Sequence, residues 1–416
     1  VEDRRRQADE LAMILTQIRA LDKFASFGLP PTASELLAEG RSGPVVSFNV
    51  SRYRSDALLL TREGIASLEL PGLEIQTVAD HISTFHQNLN SATNPGKTPL
   101  ERKAAQTKLC EILEWLWDTA AEPVLQALGY HGKPHADAAW PRVWWVTGGM
   151  LGLLPIHAAG YHTDSPTDQG RRAVMDRVVS SHIPTIRALT YARQNTPVPG
   201  PEGGALIVAM PTTPGISGCL PNVPAEVAML LSHLPEAVVL IESDSRDVNP
   251  GIAASHTPTK ANVLTHLPSC PIVHFACHGA NDPTDPSNSL LLLHDYNSDP
   301  LTVASLAPIK LDRAQLAYLS ACSTAFTGVA ELVDETIHLT SAFQLAGFPH
   351  VIGTLWPITD ALAVSVADSF YTGLCTSDGA LDTNRAAHAL HHAVRAARDR
   401  LPASPSLWAS YLHVGP

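Results

Sequence analysis

The sequence has no run of 18 consecutive apolar residues, which excludes a membrane-spanning helix. It has no basic surplus: 28 Lys and Arg stand against 40 Asp and Glu, a net charge of −12. The basic residues are scattered rather than gathered into a stripe, so nucleic-acid binding has no electrostatic support. Cysteine is sparse. Cys110, Cys219, Cys270, Cys277, Cys322 and Cys375 are dispersed with no CxxC pair, and a chain of 416 residues needs no disulfides for its core. Reduced thiols in a cytosolic compartment follow as the expectation. The opening VEDRRRQADE lacks the apolar stretch of a signal peptide, and its missing initiator Met points to a piece of a longer polypeptide. Glycine-rich phosphate loops are also missing, since TGGMLG and PEGG lack a following Lys-Ser/Thr. No cofactor is implied.

An apolar fraction of 45% against 16% charged residues gives a packed globular chain, long enough for two or three domains. Leu11, Leu15, Ile18 and Leu21 recur at helical spacing within residues 5–23. Residues 45–50, 57–61 and 65–70 read as short strands, 76–89 and 100–129 as helical, and RVWWVTGG (142–149) as a strand. One more strand and a helix fall within 172–194. The Pro- and Gly-rich NTPVPGPEGG (195–204) reads as a linker. Beyond it, ALIVAM (205–210), AVVLI (237–241), PIVHFAC (271–277), QLAYLS (315–320) and HVIGTLW (350–356) are buried-strand runs. Helical patterns at 222–233, 259–267 and 334–346 separate most of them, and helices near 360–374 and 384–400 close the chain. Buried strands alternating with helices imply a parallel sheet covered on both faces.

Reactive groups of such a sheet gather beyond the carboxyl ends of its strands. Two ends carry chemistry: PIVHFAC runs into His278-Gly279, and QLAYLSA into Cys322-Ser323-Thr324. If these strands pair, they lie about 4.8 Å apart. Alternation then places Ile272, His274, Ala276 and His278 on one face, and Leu316, Tyr318, Ser320 and Cys322 likewise, leaving Cys277 to the core. A thiol and an imidazole so placed can perform acyl transfer, with the N–H groups of Gly279 and Cys322 holding the oxyanion. Singly, each residue has a bland reading, as a core thiol or a structural His. The order His then Cys, 44 residues apart, favours the pair.

The segments HFACHG, LSACST, DETIHLTSAFQLAGFPHVIGTLWPITD and ALIVAM…LPNVPAEV resemble the CHAT domain, a family of caspase- and separase-like cysteine peptidases that often follow tetratricopeptide repeats. GPVVSFNVSRYRSDALLL and LGLLPIHA resemble the family's amino-terminal portion, so that the likeness runs from about residue 40 to the end. The resemblance implies an α/β caspase-like fold with a parallel-rich central sheet flanked by helices. It implies a helical remnant at 1–40, a degenerate caspase-like lobe at 41–198 and a catalytic lobe at 205–416. It implies a cysteine endopeptidase performing limited proteolysis through His278 and Cys322, with Gly279 beside the oxyanion. Its partners would be a protein substrate, with gasdermin-like pore-forming proteins as candidates in signalling or cell death, and an upstream repeat or sensor region as regulator. Nucleic acid and membrane are not expected partners.

Asp360 follows HVIGTLW at the dyad's edge of the sheet, where separase-like relatives pair an acid with a basic P1 side chain; capping of a helix 361–374 is the equal alternative. Asp334, Glu331 and Glu335 are weaker substrate-binding candidates, for which helix capping competes. His157 also lies near a strand end, as the relic of a second site would. Structural roles are expected for Cys110 and Cys219. His388, His391 and His392 have a spacing that can bind zinc, but without an HExxH glutamate a partly exposed helix face is the better reading. The rivals to the peptidase are a catalytically silent caspase-like binding module and a hydrolase using that histidine helix.

Overall fold

The computed structural model describes every residue except 1, 23, 26, 136–137, 166–169, 195–203, 217, 243–256, 283 and 321–338. In the amino-terminal half, α1 (Glu2–Arg19) and α2 (Ala33–Glu39) precede β1 (Val45–Asn49), β2 (Asp56–Leu60) and β3 (Ile65–Glu69). The helices α3 (Ile75–Thr93), α4 (Pro99–Leu116) and α5 (Glu122–Ala127) follow, then β4 (Arg142–Val146), β5 (Val179–His182) and α6 (Ile186–Gln194). The second half opens with β6 (Ala205–Ala209), α7 (Val223–His233), β7 (Val238–Ile241) and α8 (Lys260–His266). It continues through β8 (Ile272–Ala276), β9 (His278–Ala280), β10 (Leu290–Leu292), β11 (Leu301–Thr302) and α9 (Val303–Leu306). The last elements are β12 (Leu316–Ser320), α10 (Leu339–Ala346), β13 (His350–Thr354), α11 (Asp360–Leu374), α12 (Ala386–Arg400), α13 (Pro405–Trp408) and β14 (Tyr411–Val414). Each strand run read from the sequence forms a strand within about three residues, whereas β9, β10, β11 and β14 were not read.

One eleven-stranded sheet spans both halves in the order β3-β2-β1-β4-β5-β14-β13-β12-β8-β6-β7. From β13 to β7 all pairings are parallel, and their wholly buried strands (ALIVA, IVHFA, LAYLS, HVIGT) carry the near-continuous apolar runs that two covered faces require. β14 runs antiparallel to β13 and parallel to β5, β4 and β1. The parallel strands of the two halves therefore deliver their carboxyl ends to opposite edges.

β14 is the hinge of this arrangement, and the sequence reading stops short of it. Gly415 lets it close: its φ is +145°, and a Cβ there would come 2.3 Å from the Pro349 carbonyl oxygen. β5 and β14 share a single paired position, Val414 with His182. Side chains supply what the backbone does not. Arg142 donates to the Ser181 hydroxyl, Ser181 Oγ is hydrogen-bonded to His413 Nδ1 (2.8 Å), and His413 Nε2 to His350 Nδ1 (3.0 Å), a polar ladder over four adjacent strands. Arg142 and the Trp144 indole also donate to the carbonyls of Pro416 and Gly415, both at 2.9 Å.

Candidate active site

The carboxyl ends of β6, β8, β12 and β13 meet at one edge. β8 and β12 do pair, in a register that ends on Ala276 opposite Ser320. Beneath that edge His274 stacks on Tyr318, with ring centroids 4.7 Å apart and planes 9° apart. Facing residues of the two strands thus project to one side, as alternation requires.

Past Ala276 the alternation breaks down. Cys277 is buried as expected, but His278 does not continue β8: it opens β9, in a separate three-stranded sheet. There His278 pairs with Leu292, Gly279 with Leu291 and Ala280 with Leu290. This antiparallel pairing with β10, invisible to a strand-by-strand reading, captures the backbone at His278. The His278 residue is half-buried, and its Nε2 is shielded with no hydrogen-bond partner among the described residues. An orphaned imidazole nitrogen in a dry setting is costly unless something visits it. Cys322, Glu331, Asp334 and Glu335 lie outside the described residues.

Under the edge is a polar cluster that sequence reasoning missed. His274, fully buried, bonds Glu226 of α7 through Nε2 (3.0 Å) and the Tyr371 hydroxyl of α11 through Nδ1 (3.1 Å). Burial pushes the Tyr318 and Tyr371 phenols upward, and the nearby Glu226 adds to both shifts. As neutral donors, they leave a consistent pattern: Tyr371 O–H to Nδ1, Nε2–H to the carboxylate. The signal was present as the lone acid in an apolar helix, NVPAEVAMLL, but only tertiary contact identifies its partner.

Asp360 is the first residue of α11, behind Thr359 at the N-cap, and is half-exposed. Its Oδ2 accepts the backbone N–H of Asn222 at 2.6 Å. Asn222 is the N-cap of α7, so the carboxylate serves the neighbouring helix's orphan donor rather than its own helix. That bond ties the loop after β6 to the loop after β13 across the site edge.

The other singled-out residues disperse. His157 is buried between the carbonyl of Ala409 (Nε2, 3.1 Å) and His182 (Nδ1, 3.1 Å), and burial lowers its pKa to about 4. It follows β4, whose carboxyl end lies at the opposite edge from His278. His391 is buried with its ring 4.8 Å from Trp140, His388 is half-buried, and His392 is exposed. No group of three His, Cys, Asp or Glu that could hold a metal ion occurs among the described residues. Cys110 is half-buried and its thiol is pushed up to about 11, by burial first and then by Glu114 and Glu111; Cys219 is exposed.

The profile of the CHAT domain family matches residues 111–416. The chain belongs to the CHAT family. The match begins at residue 111, whereas the motif resemblance starts near 40. A search of the curated proteins found no match. Among solved structures, this CHAT chain is similar to separase of Saccharomyces cerevisiae in its complex with securin, with a TM-score of 0.63 and 12% identity over 97% of this chain and 31% of that one. A second structure of that complex gives a TM-score of 0.61 and 11% identity, covering 97% and 33%. The pro- and mature domains of RgpB from Porphyromonas gingivalis give 0.44 and 10%, covering 82% and 76%. At these identities the likeness shows fold alone: the CHAT chain has a caspase-like cysteine-protease fold and spans about a third of the separase chain.

Proposed function

We propose that this CHAT domain is a cysteine endopeptidase performing limited proteolysis of a protein substrate, with Cys322 as nucleophile and His278 as its base and acid. One observation carries the reading. Ala276 and Ser320 are partners at the ends of β8 and β12, and two residues past Ala276 the chain presents an imidazole whose shielded Nε2 has no hydrogen-bond partner among the described residues. Two residues past Ser320 the sequence has Cys322.

The chemistry is as follows. The imidazole takes the thiol proton, and the thiolate attacks the scissile carbonyl carbon. The N–H groups of Gly279 and Cys322 receive the oxyanion. The imidazolium protonates the departing amine as the C–N bond breaks, leaving a thioester. Water, deprotonated by the same imidazole, hydrolyses the thioester and returns the proton to sulfur. A basic P1 side chain would meet Asp360, whose Oδ1 is not the atom used by Asn222, with Asp334, Glu331 and Glu335 as further acidic candidates. Signalling or cell death is the setting, a gasdermin-like pore-forming protein the candidate substrate, and an upstream repeat or sensor region the regulator.

The test is a profile of new protein N-termini produced by wild type, Cys322→Ala and His278→Ala, each checked for folding by circular dichroism. New termini from wild type alone, unaffected by EDTA, are expected. Equal cleavage by either variant overturns the dyad, and cleavage abolished by EDTA and restored by zinc points to the histidine helix. Capture of a partner without cleavage by wild type favours a silent scaffold.

A further inference from the structure

The loop between β13 and α11, residues 355–359, is held from two sides. On one side Asp360 binds Asn222 of the α7 N-terminus. On the other, the grip comes from the amino-terminal half of the chain. Trp356 is 3% exposed and lies edge-on to Phe85 of α3, with ring centroids 5.4 Å apart and planes 64° apart. Its indole N–H donates to the carbonyl of Ser406 in α13 at 2.9 Å. Ser406 is held in turn by Gln106 of α4: the Gln106 Nε2 donates to the Ser406 hydroxyl (2.6 Å), and its Oε1 accepts the Ser406 N–H (3.3 Å). The N–H donor fixes which end of the amide faces which atom. Between the two anchors, Pro357 and Thr359 are exposed at the edge that carries His278.

We propose that Gln106, 300 residues from Ser406 in sequence, is a positioning residue for substrate: through Ser406 and Trp356 it fixes the 355–360 loop as the wall of the P1 pocket. The proposal rests on the reading of Asp360 as a P1 contact. Among the described residues the side chain of Gln106 hydrogen-bonds Ser406 and neither His278 nor the loop. Its bidentate hold on the buried Ser406 removes the freedom of α13 to slide along α4, and Trp356 transmits that fixity to the loop. The amino-terminal half, whatever chemistry it lacks, thus supplies shape to the catalytic half.

Two measurements on the full chain separate this proposal from the endopeptidase reading. Hydrogen–deuterium exchange of a peptide spanning 355–362 needs no activity; it includes the Leu355 N–H, bonded to the Ser410 carbonyl at 2.9 Å. Steady-state kinetics on matched peptides with Arg or norleucine at P1 read the pocket. Gln106→Ala should raise exchange in 355–362 but not in β8. It should raise KM for the Arg peptide by about tenfold with kcat nearly constant, the pattern of lost ground-state positioning. Gln106→Glu should restore both, because the Ser406 N–H and O–H can each donate to a carboxylate. Trp356→Phe, which keeps the ring and removes only the donor, should reproduce the Gln106→Ala result without depending on its folding. Unchanged exchange in Gln106→Ala and Trp356→Phe overturns the linkage, as does failure of Gln106→Glu to rescue. Raised exchange with KM unchanged for both peptides overturns the specificity role. A wild type that cleaves neither peptide, yet shows the exchange response, rejects the pocket role together with the endopeptidase reading and leaves the linkage standing.

Discussion

Replacing Asp176 by Asn should destabilise the protein more than removing any one of the cations around it. Asp176 is 2% exposed and lies in the amino-terminal half, yet its carboxylate is held by α12 of the other half. Arg398, fully buried, donates to both oxygens at 2.5 and 3.0 Å, Arg395 to one at 3.0 Å, and Arg171 stands 3.6 Å away. Asp399, on the rim, also accepts from Arg171 and Arg398, at 3.1 and 3.0 Å. Three cations therefore face two carboxylates. Burial alone would raise the Asp176 pKa; the three guanidinium groups, Arg398 foremost, together outweigh it and hold the group below its ordinary value. Asp176→Asn leaves three guanidinium groups against Asp399 alone, whereas Arg398→Met leaves two against two. Removing one partner of a buried pair costs about 3–5 kcal/mol. For a chain of this length melting as one unit, that lowers Tm by roughly 3–6 °C. Differential scanning calorimetry and urea unfolding at pH 7.5 provide the assay, with Asp176→Asn expected to fall below Arg398→Met. A loss under about 1 kcal/mol, or the reverse order, would refute the charge-counting argument.

The remaining predictions concern the sheet junction, pH and thiols. His413→Phe leaves buried His350 Nδ1 without its partner, at roughly 1–3 kcal/mol, while Ser181 keeps its bond from Arg142, so the urea midpoint should fall; no change would show that the ladder contributes nothing. Burial lowers His157 to about 4 and His350, beside Arg142, to about 3 from 6.5. The unfolded chain then binds more protons below pH 6.5, so their contribution is intact above that value and lost as pH falls, by about 2 kcal/mol per histidine at pH 5. Equal unfolding free energies at pH 7.5 and pH 5 would contradict it. Brief iodoacetamide treatment at neutral pH followed by peptide mapping should modify Cys322 well before Cys110, whose thiol is held at about 11, and before buried Cys277. Labelling of Cys110 first would contradict that order.

Much of the architecture was legible in the chain because its signals are local. Fully buried parallel strands must read as short β-branched or aromatic runs, so ALIVA, IVHFA, LAYLS and HVIGT announced themselves, and the helices between them followed from spacing. The strand ends also singled out His278, two residues past β8, and Cys322, two residues past β12, as the expected pair. Alternation failed at His278, because pairing with Leu292, fourteen residues on, decides the backbone's course there.

What the sequence by itself determined was therefore the class of fold, the positions of most strands of the main sheet, and a histidine and a cysteine as the residues to test. Tertiary structure decided the rest, because each remaining feature is a contact between segments whose separation carries no periodic signal. It joined the halves through YLHV at the end of the chain, assigned Glu226 to His274, set Asp360 against Asn222, and brought Gln106 to Ser406. A hydrophobic period reports which face is buried; it cannot report what the face is buried against. Polar partners across such gaps are chosen by packing, and only the packed chain names them.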